Sequence, residues 1–156
     1  AGPCAVSIGV GRDGVPIVGV INDPVRGETF SAAERCGAFM NNQRLQVSGA
    51  EQLETAVLGF DSPSEYHRDV AMKLANQRVR AARSIGSCAV AMAWVAAGRF
   101  DGFWVRNVGP WDISAGTIIV REAGGWVGAS DGGAPTIQET IASTPGLAEA
   151  IRVLLS

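Results

Sequence analysis

The stretch "GPWDISAGTIIVREAGGWV", residues 109–127, decides how this chain is read. Its apolar positions predict a helix over 112–123, stopped by Gly124-Gly125. At the mouth of that helix stands one acid, Asp112, between Trp111 and Ile113. Two accounts of it are open. Aspartate is a favoured N-cap, since its carboxylate accepts otherwise unpaired backbone N–H groups. Alternatively, apolar flanks place the acid near the interior, where an unpaired carboxylate is costly and a divalent cation would neutralise it. Glu122, ten positions on, lies about 15 Å away along the same helix, too far to share a cation with Asp112.

Upstream, "RSIGSCAVAMAWVAAG" (83–98) reads as a strand end handing over to a wholly apolar, and therefore buried, helix that stops at Gly98. The small residues Gly86, Ser87 and Cys88 at that handover leave backbone N–H groups accessible at a helix N-terminus, where anions are attracted. Close helix packing through small residues accounts for them equally well. Between the two helices "FDGFWV" is a strand. After the second, "WVGA" and "ETIAST" are strands, and "GLAEAIRVLL" is a final amphipathic helix.

The first third reads differently. "CAVSIGVGRDGVPIVGVIND" is two apolar runs around a Gly11–Gly14 turn, with Asp-Gly as the hairpin signal. "PVRGE" is a second turn, "ETFSAAE" a third strand, and Asn41-Asn42 turns "GAFM" into "QRLQVS". The first two runs are apolar on both alternating faces, which predicts a sheet covered on both sides. The expected organisation is an antiparallel meander over residues 1–49, then a mixed αβ layer over 50–156. That layer also includes a strand at 55–61, a moderately amphipathic helix after Pro63 and a strand at "RVRAARS".

Composition bounds the chemistry. The 156 residues are 47% hydrophobic and 18% charged, which suits one core-forming domain. A net charge of −2 gives no basic field for duplex nucleic acid. The cysteines, Cys4, Cys36 and Cys88, are odd in number and widely spaced, so neither a disulfide framework nor a zinc site is indicated, and a cytoplasmic location fits. No apolar run reaches the length of a membrane span. His67 is the single histidine and sits in polar "SEYHRD", so histidine-based triads are poorly supported. "GVGRDG" precedes a strand and is not a dinucleotide loop. Trp94, Trp104, Trp111 and Trp126 lie in apolar settings and are read as core.

Three runs carry a family resemblance. "WDISAGTIIVREAGG" resembles the W-D-x-A-A-G-x-x-x-x-x-E-A-G-G signature of the inositol monophosphatase family. "GVINDPVRGETFSAAERCGAFMNNQRLQVS" and "RSIGSCAVAMAWVAAGRFDGFW" are similar to that family's preceding segments, in order and with compatible spacing. The resemblance implies a layered αβαβα fold and a Mg²⁺-dependent, lithium-sensitive phosphomonoester hydrolase, commonly homodimeric. It implies that Asp112 is a metal ligand and that Gly86, Ser87 and Cys88 meet a small phosphate monoester.

Two departures accompany it. The family's Gly-Glu-Glu acid and Asp-Pro-x-Asp-Gly-Thr loop are absent, so the catalytic residues are expected upstream of Ala1 and the fold is expected to be incomplete. On that expectation the chain alone is inactive, and apolar strand surface is exposed. The alternative is a non-catalytic binding or assembly module built on the same fold. Second, inositol-type members often carry a substrate-contacting Glu where Val105 stands here. Neighbouring Arg106 is then either a contact for an extra phosphate or carboxylate, or a solvated arginine.

Overall fold

Short β-runs joined by turns of two to four residues build the first sheet. The computed structural model describes residues 2–61 and 79–155. Strands β1 (Val6–Arg12), β2 (Val15–Asp23), β3 (Glu28–Ala33), β4 (Gly37–Met40) and β5 (Gln43–Arg44) form an antiparallel meander in that order. Asp13 and Gly14 both take positive φ (51° and 79°), as a tight hairpin turn requires. The turn is shorter than expected: β1 runs through Arg12, and a register irregularity at Val10/Gly11 absorbs the extra residue. Asn41 and Asn42 (φ 45° and 69°) make the second such turn.

The second sheet has the order β7-β6-β8-β10-β9, from β6 (Val57–Asp61), β7 (Ala81–Arg83), β8 (Gly102–Arg106), β9 (Trp126–Gly128) and β10 (Glu139–Ser143). β6 pairs parallel with β7 and β8, whereas β10 pairs antiparallel with β8 and β9. Helices α1 (Cys88–Ala96) and α2 (Pro110–Glu122) lie between the two sheets, and α3 (Ala148–Leu155) covers the far face of the second. The layers thus run sheet, helix pair, sheet, helix, the layered α+β arrangement expected from the sequence. The helix expected after Pro63, and His67 with it, lie outside the described residues. Among those described, no helix is long and apolar enough to cross a membrane.

Two cores follow from strand alternation. Phe103 and Val105 of β8 point toward α1 and α2, joining Ile21, Phe30, Met92, Ile118 and Ile119. Trp104, between them, points the other way, toward Leu147, Ile151 and Leu155. The first core spans the boundary at residue 49, so the meander and the αβ layer share one interior. α1 is buried along nearly its whole length because it is apolar all round.

α2 sits tightly against both neighbours. A Cβ placed on Gly19 would stand 2.6 Å from the Ala115 carbonyl oxygen, and one on Gly116 would stand 2.6 Å from Met92 Cβ. Absent side chains therefore set the spacing of sheet, α2 and α1. At its C-terminal end, Glu122 accepts hydrogen bonds from the backbone N–H groups of Arg35 (2.9 Å) and Gly37 (2.7 Å), tying the helix to the β3–β4 turn.

Two expectations need correction. The first sheet is not covered on both faces by the described residues: Val6, Ile8, Val10, Val15 and Val18 are exposed. Their apolar character alone could not reveal which element covers them. Trp111 is not core either. It is 71% exposed, because α2 begins one residue before it and turns its side chain outward, while Ile113 faces inward.

Candidate active site

Asp112 is not the N-cap of α2. The helix starts at Pro110, a residue suited to a first turn, and Gly109 is the cap. Asp112 occupies the third helical position, from which Oδ2 reaches back to accept the Gly109 N–H at 2.8 Å. This is the reach-back half of a capping box. Nor is the acid enclosed, since it is half-buried once Trp111 faces solvent.

At the other helix, Ser87 is the N-cap of α1, and its Oγ accepts a long hydrogen bond from the Val90 N–H (3.5 Å). Gly86 just before it is exposed with φ 74°, a left-handed bend that carries the chain from β7 into the helix. Cys88 opens α1, and its thiol is half-buried.

The two N-termini lie at the same end of the molecule. Gly116 and Met92, each four residues after Asp112 and Cys88, meet where the helices touch. The charges agree: the Cys88 thiol is pushed up to about 12, first by burial, then by the negative charges of Asp61 and Asp112. The thiol stays neutral and is no nucleophile at ordinary pH.

Asp61 was not singled out from the sequence. It ends β6, opposite Val105 in the parallel register. Two residues earlier, a Cβ on Gly59 would touch Phe100 and Phe103 of the inter-sheet core, so odd-numbered β6 positions face α1 and α2. The only sequence signal was an acid at a strand's C-terminal end, "LGFDSP". Its partner position forty-odd residues on is fixed by pairing that the sequence does not display.

The structure therefore brings Gly86, Ser87, Cys88 and Asp112 to one end of the fold. It does not bring Arg106 there by its side chain. Arg106 follows Trp104 on the opposite face of β8, with its guanidinium 5.9 Å from that indole and Nε 4.0 Å from Glu139. Val105, fully buried, faces the helices instead.

A hard cation prefers carboxylate oxygens, and Asp112 offers one beside the atom held by Gly109. Among the described residues, however, no group of three or more His, Cys, Asp or Glu side chains is placed to hold a metal ion. Asp112 suits a metal as one ligand, not as a complete site.

Comparison with known proteins gives this geometry a family. The profile of the inositol monophosphatase family matches residues 2–154. The chain belongs to the inositol monophosphatase family. It is 42% identical to an inositol-1-monophosphatase from Mesorhizobium japonicum over 134 residues, covering 83% of this chain and 50% of that protein. The crystal structure of extragenic suppressor protein suhB from Bartonella henselae superposes with a TM-score of 0.91 at 36% identity, over 97% of this chain and 61% of that one. The inositol monophosphatase structure from Anabaena gives 0.90 at 34% identity, over 97% and 63%. The chain spans about half the length of the curated relatives it matches. The three runs that carried the resemblance thus sit on β2–β5, on α1 with the start of β8, and along α2.

Proposed function

We propose that the protein hydrolyses a small phosphate monoester with the help of Mg²⁺, and that Asp112 is one of the metal's ligands. The observation that carries this reading is the convergence of two helix N-termini, α1 at Ser87-Cys88 and α2 at Asp112, at one end of the fold. Exposed N–H groups around Gly86, Ser87 and Cys88 suit phosphate oxygens, and a carboxylate beside them suits the cation that accompanies phosphate. The remaining metal ligands come from outside the described residues. When bound, the metal polarises the phosphoryl group and lowers the pKa of the attacking water.

In this reading each residue has a limited task. The Gly109 N–H fixes one Asp112 oxygen, so the other is aimed without further restraint. The α1 terminus receives the phosphate, and the neutral Cys88 thiol adds no charge to repel it. We read the complete protein as a cytoplasmic homodimer on family resemblance. The same end of the fold with no catalysis, a binding or assembly module, is the competing reading.

Phosphate release is the test, measured on the polypeptide as encoded, including any sequence before residue 1, across a magnesium titration. The expected result is magnesium-dependent hydrolysis that falls by at least about a hundredfold in Asp112→Asn. Wild-type protein that releases no phosphate from any monoester, or an Asp112→Asn variant with unaltered magnesium dependence, overturns the proposal.

A further inference from the structure

We infer that Ser7 is a positioning residue for Asp112: its hydroxyl ties the first turn of α2 to strand β1 and so holds the carboxylate in its aim. The inference rests on the metal role proposed for Asp112 and deepens it.

The first turn of α2 has few anchors of its own. Pro110 brings no N–H. Trp111 is 71% exposed, and its indole folds back over Gly109 instead of entering the core. One oxygen of Asp112 is already engaged by the Gly109 N–H. Ile113 is the first side chain of the helix to be buried. The backbone of this turn is gripped from outside the helix: Ser7 Oγ donates a hydrogen bond to the Trp111 carbonyl at 3.3 Å. A helical carbonyl keeps a lone pair after accepting the N–H four residues on, so the hydroxyl adds to the helix bond and does not compete with it.

Strand and helix are in step at this point. Val6, Ile8 and Val10 are exposed on the outer face of β1, so Ser7 and Gly9 face α2. A Cβ on Gly9 would stand 2.5 Å from Ser114 Oγ and 3.1 Å from the Ala115 nitrogen, so bare backbone of β1 lies against the helix there. From Gly9 back to Ser7 is about 7 Å along the strand. From Ala115 back to Trp111 is about 6 Å along the helix. Position 7 therefore stands opposite Trp111, where a short side chain with an O–H donor spans the gap. Alanine there leaves the carbonyl without that donor, and threonine keeps it. Asp112 follows Trp111 directly, so a turn that frays at Trp111 carries the carboxylate with it.

The test compares wild type, Ser7→Ala and Ser7→Thr in the polypeptide as encoded. Magnesium binding is measured by calorimetry and the magnesium half-saturation of phosphate release by kinetics. Amide hydrogen exchange along α2 is followed in magnesium-free protein, and folding is checked by thermal unfolding. Ser7→Ala is expected to weaken magnesium binding and raise the half-saturation about threefold to tenfold, with a smaller effect on kcat at saturating magnesium. Exchange is expected to quicken at residues 113–115 and not at 120–122. Ser7→Thr is expected to restore most of both. A lowered unfolding temperature with unaltered magnesium binding makes Ser7 a structural residue and overturns the inference. So does an alanine variant whose exchange and half-saturation match wild type; either result leaves the phosphatase reading standing. A wild type that binds no magnesium and releases no phosphate removes both.

Discussion

Asp112 holds the backbone N–H of Gly109 at 2.8 Å through Oδ2, three residues back along the chain. One oxygen is thus committed to closing the first turn of α2, and a carboxylate read as a possible metal ligand also has a structural task. The two tasks separate by mutation. Asparagine keeps an acceptor at the same place but discards the charge. Asp112→Ala is expected to cost about 0.5–2 kcal/mol of folding stability, and Asp112→Asn less, by urea denaturation. An alanine variant as stable as wild type would remove the structural task.

The thiols should divide by environment. Cys4 and Cys36 are exposed, whereas Cys88 is half-buried with its thiol pushed up to about 12 by burial and then by the charges of Asp61 and Asp112. At pH 8 a disulfide reagent should titrate Cys4 and Cys36 quickly in the native protein, and Cys88 only after denaturation. Rapid native labelling of Cys88, read by peptide mass mapping, would contradict the environment described.

Much of this was legible in the sequence, and the rest had physical reasons to be hidden. The hairpin at Asp13-Gly14 and the turn at Asn41-Asn42 were readable because few residues tolerate left-handed backbone. α1 was readable because nothing polar interrupts it. The cap of α2 was misplaced by three residues, since Pro110 can begin a helix and an acid is equally at home at the cap or in the first turn. Trp111 was misplaced for a related cause: which way one residue of a first turn points depends on where that turn begins. Asp61 and Arg106 turn on strand pairing and facing, which are long-range facts. The signature around Asp112 carried no information about Asp61, whose charge also reaches Cys88.

Acid should loosen the loop that follows β9. Burial by itself would raise the Glu139 carboxyl, but hydrogen bonds from the Ser130 side chain and N–H (2.9 Å for the latter) and from Trp104 Nε1 (3.1 Å), with the Arg106 charge, outweigh it and hold the group below its ordinary value of 4.5. A carboxyl lowered by folding stabilises the native state above its unfolded value, and that contribution is lost as pH falls through the lower folded value. Wild type is therefore expected to lose more stability than Glu139→Gln between pH 6 and pH 3. Parallel urea-denaturation midpoints for the two proteins across that range would refute the assignment.

Gly116 should resist enlargement. Its missing side chain is where Met92 Cβ sits, at 2.6 Å from an added Cβ, and a Cβ fixed to a helix cannot swing aside. Alanine would gain about 1 kcal/mol of helix propensity, yet overpacking of this kind costs about 1–3 kcal/mol. Gly116→Ala is expected to be neutral to destabilising and Gly116→Val plainly destabilising, by denaturant midpoint. A valine variant of raised stability would show that the helices are not held at this spacing.

The grip of Glu122 on the N–H groups of Arg35 and Gly37 pins the C-terminal end of α2 to the β3–β4 turn. Asp112 stands in the first turn of the same helix, about 15 Å away. On the metal role proposed for Asp112, substitutions near Arg35 are expected to weaken magnesium binding through the seating of α2, although they lie at the opposite end of the helix.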